Sequence, residues 1–223
     1  MKGEQKMKKS NFKWEKRLVC LLVVGMALII TAGSSFATST IYVSTQGNDA
    51  WNGLAANYDP ATGNGPKASI QNAIDTVSDN GTVSVAAGTY YENLYINKDV
   101  YLMGASPDST IIDGMAKNSV IRLFGSTMEP FNQFDLTVNG FTLTNGNGTY
   151  GGGIYNYGGI LFLINTKITD NHATNGGGLY NYGTASADSA TVITDNTPDN
   201  LYGYPLTPLT SNDLSQDVLP SVG

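Results

Sequence analysis

Apolar and polar positions alternate in short runs along most of this 223-residue chain. In "LTVNGFTL" the apolar positions are Leu136 and Val138, then Phe141 and Leu143. A period of two belongs to a half-buried strand. "TIYVS" at 40–44, "TVSVAAGTY" at 82–90, "VYLMG" at 100–104, "TIIDG" at 110–114, "VIRLF" at 120–124 and "ILFLI" at 160–164 read the same way. Gly, Asn and Asp stand between them, as turns require. One stretch, "PKASIQNAIDTVSDNG", breaks the pattern. Its Ile70, Ala73, Ile74 and Val77 fall at i, i+3, i+4 and i+7, which predicts one amphipathic helix. Pro66 is placed to open that helix and Gly81 to close it.

The alternation is itself repeated. "GGGIYNYG" at 151–158 returns as "GGGLYNYG" at 176–183, a step of 25 residues. Leu143, Ile168 and Ile193 keep the same step, as do Thr144, Thr169 and Thr194, and Asn145, Asp170 and Asp195. Asn171 and Asn196 follow it too, and the third copy decays into "TPDNLYGY". A fixed step of this size signals stacked repeats. The repeats are poor in Ala, Glu, Lys and Leu, which disfavours helix. Strands of four or five residues, turned sharply every seven or eight, make coils of about 25 residues that pair ~4.8 Å apart. The predicted fold class is all-β: a right-handed parallel β-helix of about five coils, with the helix covering its N-terminal end. Such an end exposes core and unpaired edges and needs a cover.

Stacked equivalents give the repeat its meaning. Ile154 and Leu179 are expected to stack in the core, and Asn156 and Asn181 to form an amide ladder at a turn. Tyr155 over Tyr180, and Tyr157 over Tyr182, are expected to stack outside. The Gly triplets serve sharp corners or close approach between coils. No Lys-Ser/Thr follows them, so they do not read as a phosphate loop.

Charge and composition add the address. Residues 1–17 carry seven Lys/Arg and two Glu, residues 18–30 are apolar, and Ser35-Phe36-Ala37 is a small-x-small exit. This order predicts a secretory signal peptide over 1–37. The apolar run is shorter than the ~20 residues that span a bilayer, so no stable transmembrane segment is expected after cleavage. The remaining chain has five Lys/Arg (Lys67, Lys98, Lys117, Arg122, Lys167) against sixteen Asp/Glu, a formal charge of −11. The single Cys, Cys20, lies in the apolar run, so no disulfide is available after cleavage. Scattered cations on an acidic surface argue against nucleic acid as a partner. The chain is divided by expectation into 38–80 (strand, loop and capping helix), 81–203 (β-helix) and 204–223 (a tail, "PLTPLTSNDLSQDVLPSVG" after Tyr204, read as disordered or linker-like).

"IYVSTQGNDAWNG", "SIQNAIDTV" and "GTVSVAAGTYYENLYINKDVYLMGASPDSTIIDG" together resemble the N-terminal part of secreted right-handed parallel β-helix proteins of the pectin-lyase-like superfamily. "AAGTYYENLYI" is the most specific part. "ITDNHATNGGGLYN" is similar to the repeat of polymorphic outer-membrane-type and adhesin-like surface proteins. The resemblance spans roughly 40–203 and implies a location at the cell surface or outside the cell. It implies two kinds of activity, because one scaffold hosts both enzymes and adhesins.

The enzyme reading rests on few residues. Lyases of the resembled superfamily use a basic proton abstractor and clustered carboxylates that hold Ca²⁺. Arg122 is the one arginine after residue 37, and "SVIRLFGS" around it holds no carboxylate. The related hydrolases need neighbouring Asp residues. Asp170 and Asp195 are candidates, yet both sit in "ITDN", where Asp is a turn former. The hydrolases' Gly-His-Gly is absent. His172, the sole histidine, lies in a turn sequence and has no Cys partners for zinc. The Asp/Asn turns do not follow the calcium-binding nonapeptide, so no cofactor or metal is expected, with Ca²⁺ the one ion the turns resemble a site for. The expectation is therefore a non-catalytic, adhesin-like protein. Tyr155, Tyr157, Tyr180 and Tyr182 would contact a cell-surface polysaccharide or a protein. Asn80-Gly-Thr and Asn147-Gly-Thr are sequons that such an address would expose to glycosylation.

Overall fold

The computed structural model describes residues 39–125 and 133–210. The expected signal peptide and the end of the tail, 211–223, lie outside the described residues. Almost all regular structure is β, and every pairing between strands is parallel.

A seven-stranded sheet runs in the order β1 (Thr40–Val43), β2 (Gly81–Val85), β5 (Val100–Gly104), β8 (Asp135–Asn139), β12 (Ile160–Ile164), β16 (Thr184–Ala187) and β19 (Thr207–Pro208). A second sheet holds β3 (Gly88–Tyr91), β6 (Thr110–Asp113), β9 (Thr142–Thr144), β13 (Lys167–Ile168) and β17 (Val192–Ile193). A third holds β4 (Leu94–Ile96), β7 (Ile121–Phe124), β11 (Ile154–Tyr157), β15 (Leu179–Asn181) and β18 (Leu201–Gly203). A two-stranded sheet, β10 (Asn147–Tyr150) with β14 (His172–Asn175), stands between the second and third in chain order. From β2 onward the chain visits the first, second and third sheets in turn and then starts again. That order is consistent with a parallel β-solenoid.

Period-two alternation makes the core. Val83, Leu102, Val138 and Leu163 follow one another in register on the first sheet and are all fully buried. Tyr90, Ile112, Leu143, Ile168 and Ile193 form the column of the second sheet, and Leu94, Ile121, Ile154, Leu179 and Leu201 that of the third. Each large side chain so buried contributes about 1.5–3 kcal/mol.

The helix α1 (Ile70–Thr76) packs Ile70, Ala73 and Ile74 into this core, against β1, β2 and β4. It is shorter than the sequence pattern predicts, and neither expected boundary residue sets it. Pro66 and Lys67 run extended along β1, where the Lys67 amide donates to the Tyr42 carbonyl at 2.8 Å. The N-cap is Ser69, whose Oγ accepts from the Asn72 amide at 3.3 Å. Two distant carboxylates complete the cap. Glu92 accepts from the Ile70 and Gln71 amides at 2.7 and 2.9 Å, and Asp49 from Ala68 and Ser69 at 2.9 Å each. Val77 turns extended at the C-terminal end, and Gly81 opens β2 instead of closing the helix.

The tail departs from expectation as well. Thr207 and Pro208 form β19 and pair with Ser186 and Ala187, Leu209 donates to the Ala187 carbonyl at 2.9 Å, and Leu206 packs on the core. Pro is tolerated there because β19 is the last strand of its sheet among the described residues, where one side needs no N–H.

Candidate functional site

The third sheet carries the most distinctive surface of the described residues. Its strands bury alternate residues, so the intervening ones face outward together. Tyr95, Arg122, Tyr155, Tyr180 and Tyr202 lie side by side in register, and Tyr157 lies opposite Phe124. Tyr182 and Tyr204 follow β15 and β18 by one residue, and Tyr150 ends β10 beside them. Six of these tyrosines expose two-fifths or more of their surface.

The rings touch in an unbroken series. Tyr95 meets Phe124 at 5.6 Å between centroids, Phe124 meets Tyr155 edge-on at 5.3 Å, and Tyr155 meets Tyr180 edge-on at 5.4 Å. Tyr180 then stacks on Tyr202 at 5.3 Å and 13°. Tyr157 joins through Tyr155 at 6.0 Å, Tyr182 through Tyr180 at 4.9 Å, and Tyr204 through Tyr182 at 5.4 Å. Tyr150 leans on both Tyr155 and Tyr180, at 5.8 and 4.8 Å. The stacks expected from the repeat thus differ in kind. Tyr155 and Tyr180 meet edge to face, whereas the expected stack of Tyr157 on Tyr182 does not form: Tyr157 meets Tyr155 on its own strand, and Tyr182 meets Tyr180 and Tyr204. Ring quadrupoles favour edge-on or offset pairs over a perfect sandwich, and the near-parallel pairs Tyr180–Tyr182 and Tyr180–Tyr202 keep their centroids 4.9 and 5.3 Å apart.

Arg122 stands inside this face. Its guanidinium carbon lies 5.9 Å from the centroid of the Tyr95 ring, a cation–π distance. Its Nε is buried and finds no hydrogen-bond partner among the described residues. None of the five strands contains Asp or Glu. In a chain with so many carboxylates, this face is a neutral-to-positive strip. Burial is the main reason the Tyr180 hydroxyl is pushed up to about 12, helped by its hydrogen bond to Tyr182. Burial also raises Tyr155. Both phenols stay neutral donors at physiological pH.

The repeat holds the face from behind with amides. Asn156 and Asn181 are fully buried, and the Asn156 Nδ2 donates to the Asn181 Oδ1 at 2.8 Å. The Gly159 amide donates to the Asn156 Oδ1 at 3.0 Å, fixing the turn into β12. A second ladder, which the sequence analysis did not single out, joins Asn171 to Asn196 at 3.0 Å. The Asn171 Oδ1 also takes the Gly146 amide at 2.8 Å. Its signal was the shared 25-residue step. The Gly triplets divide their work. Gly151 and Gly176 hold φ of +60° and +65°, while a Cβ on Gly152 or Gly153 would run into the carbonyls of the next rung.

The other candidate residues lie outside the aromatic face. Asp170 and Asp195 occupy equivalent exposed corners with φ of +56° and +57°, matching Asn145 at +55°. Asp and Asn tolerate this left-handed conformation better than most residues. These corners follow strands of the second sheet, whereas Arg122 belongs to the third, so the structure does not assemble the three. His172 is exposed on β14, opposite Asn147. Among the described residues no three His, Cys, Asp or Glu side chains group as metal ligands. Among the same residues no helix is long and apolar enough to cross a membrane.

Tyr95, Phe124, Tyr150, Tyr202 and Tyr204 were not legible as part of the face from the repeat alone. Tyr202 and Tyr204 carry the faintest signal, since "LYGY" keeps the spacing of "LYNY". No family model matches the chain, and no curated protein matches it.

Proposed function

We propose that this chain is an exported, cell-surface or extracellular protein that binds a surface polysaccharide or a protein partner without catalysis. Its architecture in this reading is a right-handed parallel β-helix of about five coils with α1 as its N-terminal cap. Right-handed crossovers are the general rule for parallel strands. The resemblance to pectin-lyase-like and polymorphic outer-membrane-type repeats supports the fold and the address, and the basic-then-apolar segment over 1–37 supports export.

One observation carries the binding reading: a continuous aromatic face on one sheet, whose five strands contain no Asp or Glu, with a single arginine among the rings. Tyr offers apolar area at low entropy cost together with a hydroxyl, which suits sugar rings and protein surfaces alike. The rungs recur ~4.8 Å apart. A linear polymer or an extended partner laid across the strands meets the same groups repeatedly. The placement of Asp170 and Asp195 at left-handed corners favours a turn-forming role for them over an acid–base one.

The test is binding of the purified chain to immobilised neutral and acidic polysaccharides and to surface-protein extracts. Tyr155→Ala with Tyr180→Ala is expected to lower affinity at least tenfold, with exposed Tyr91→Ala as the control. Retained binding in the double variant rejects the face. New reducing or unsaturated ends that vanish in Arg122→Ala or Asp170→Asn would establish a polysaccharide lyase or hydrolase instead.

A further inference from the structure

We propose that the C-terminal end of the aromatic face is a site of oxidative tyrosine cross-linking, in which β18 becomes covalently joined to β15 through a dityrosine bond. The chain has one cysteine, Cys20, which lies ahead of the β-sheet region, so the described part has no thiol with which to form a disulfide. It does have phenols at coupling distance. Tyr180 and Tyr202 stack at 5.3 Å with their rings 13° from parallel, and Tyr182 and Tyr204 stand 5.4 Å apart at 42°. Both pairs link one rung to the next. Tyr182, Tyr202 and Tyr204 expose 41%, 40% and 57% of their surface, so a small oxidant or a radical carrier reaches them.

The remaining rings matter for selectivity. Tyr150, Tyr155 and Tyr180 touch one another, and the contacts continue to Tyr202. A phenoxyl radical formed on one of these tyrosines can therefore exchange with its neighbours until it meets a second radical. Isolated tyrosines lack this route. Tyr91 is more exposed than any ring of the face, at 63%, and makes no ring contact among the described residues.

The chemistry requires an external oxidant, hydrogen peroxide acting through a haem peroxidase. Each phenol gives up one electron and its hydroxyl proton. The two radicals join through a carbon–carbon bond between ring positions ortho to the oxygens. The two ortho hydrogens then move to the oxygens and restore both aromatic rings. The net change is two hydrogens lost from the protein and one peroxide reduced to two waters. The product closes a loop between the last two strands of the third sheet, which has no further neighbour after β18 among the described residues. A cross-link of this kind stabilises by restricting the unfolded chain, as a disulfide does.

The experiment treats the full chain with peroxidase and a limiting amount of peroxide across a hundredfold range of protein concentration. Digestion before Asp then separates the two strands, because Asp188, Asp195 and Asp199 lie between them. The expected product is a peptide pair containing Tyr180 or Tyr182 joined to Tyr202 or Tyr204, two hydrogens lighter, with dityrosine fluorescence. Its yield per molecule should not depend on concentration. Tyr202→Phe with Tyr204→Phe keeps the rings and removes the phenols, and should reduce that product at least tenfold while circular dichroism is unchanged. Cross-links that are mainly intermolecular, or that involve Tyr58 and Tyr91 as often as the face, overturn the proposal. So does an unaltered product in the double Phe variant.

Discussion

Replacing Asn156 by Ala tests whether the buried amide ladder holds the rungs in place. The substitution removes the 2.8 Å bond to the Asn181 Oδ1 and the 3.0 Å bond from the Gly159 amide. The Asn156 Nδ2 also reaches the Gly159 and Thr184 carbonyls at 3.2 Å each. The Gly159 carbonyl keeps the Thr184 amide at 3.0 Å, so its loss is partial. The Gly159 amide has no other partner among the described residues, and it is buried. An orphaned buried donor costs about 1–3 kcal/mol. The emptied volume of the amide adds to this, because surrounding structure relaxes only in part. A total near 3 kcal/mol is expected, at the top of that range. Urea unfolding monitored by tyrosine fluorescence measures it, and hydrogen exchange at Gly159 shows where the damage lies. Solenoids open locally, so exchange should quicken at β11–β12 before it does at β2. The exposed Asn147→Ala is the control and should stay within about 0.5 kcal/mol of the parent. An Asn156→Ala chain as stable as that control, with Gly159 still protected, would refute the ladder argument.

Asp170→Gly should keep or slightly raise stability, whereas Asp170→Ala should lose about 1–2 kcal/mol, because only the glycine adopts φ of +56° freely; thermal melts of the pair decide it. Gly153→Ala should be strongly destabilising or insoluble, since its Cβ meets the Gly178 carbonyl and the Ile168 side chain; the soluble yield and melting temperature report it. Burial raises the Glu92 carboxyl above its ordinary value, opposed by the Gln71 and Ile70 amides and reinforced by Asp49. The folded state therefore holds that proton more tightly than the unfolded one. The stability linked to Glu92 is full below the ordinary glutamate range and is lost as pH rises through the raised value. A pH series of urea midpoints in which Glu92→Gln shows the same fall as the parent would contradict this. With Tyr180 pushed up to about 12, and Tyr90 pushed to about 12 by its own burial, these two tyrosinates should appear late in an ultraviolet titration, and Tyr180→Phe should shrink that late component and leave the Tyr90 share.

Much of the β-sheet register was legible because it is translational. A residue and its equivalent 25 positions later meet whenever the chain closes rungs of that length, so Ile154 lies on Leu179, and Ile168 between Leu143 and Ile193, as the spacing of the letters implies. Alternation then determined which member of each pair faces the core, as Leu136, Val138, Phe141 and Leu143 show. The helix was legible as an apolar stripe but not in extent. Its N-cap Ser69 is completed by Asp49 and Glu92, which reach it from other parts of the chain, and no local pattern announces those two carboxylates.

What only the tertiary structure decided is the full aromatic face. Leu94, Ile121, Ile154, Leu179 and Leu201 follow one another in register on the third sheet, and the chain takes 27, 33, 25 and 22 residues between them. Only one of those steps matches the written period. Unequal loops leave the strands in line while scrambling their spacing, because pairing constrains strands and leaves the connections between them free. The sequence could therefore determine two tyrosine columns within the exact repeat. It took the folded chain to carry those columns on to Tyr95, Phe124 and Tyr202, to lean Tyr150 against them, and to set Arg122 among the rings and apart from the acids.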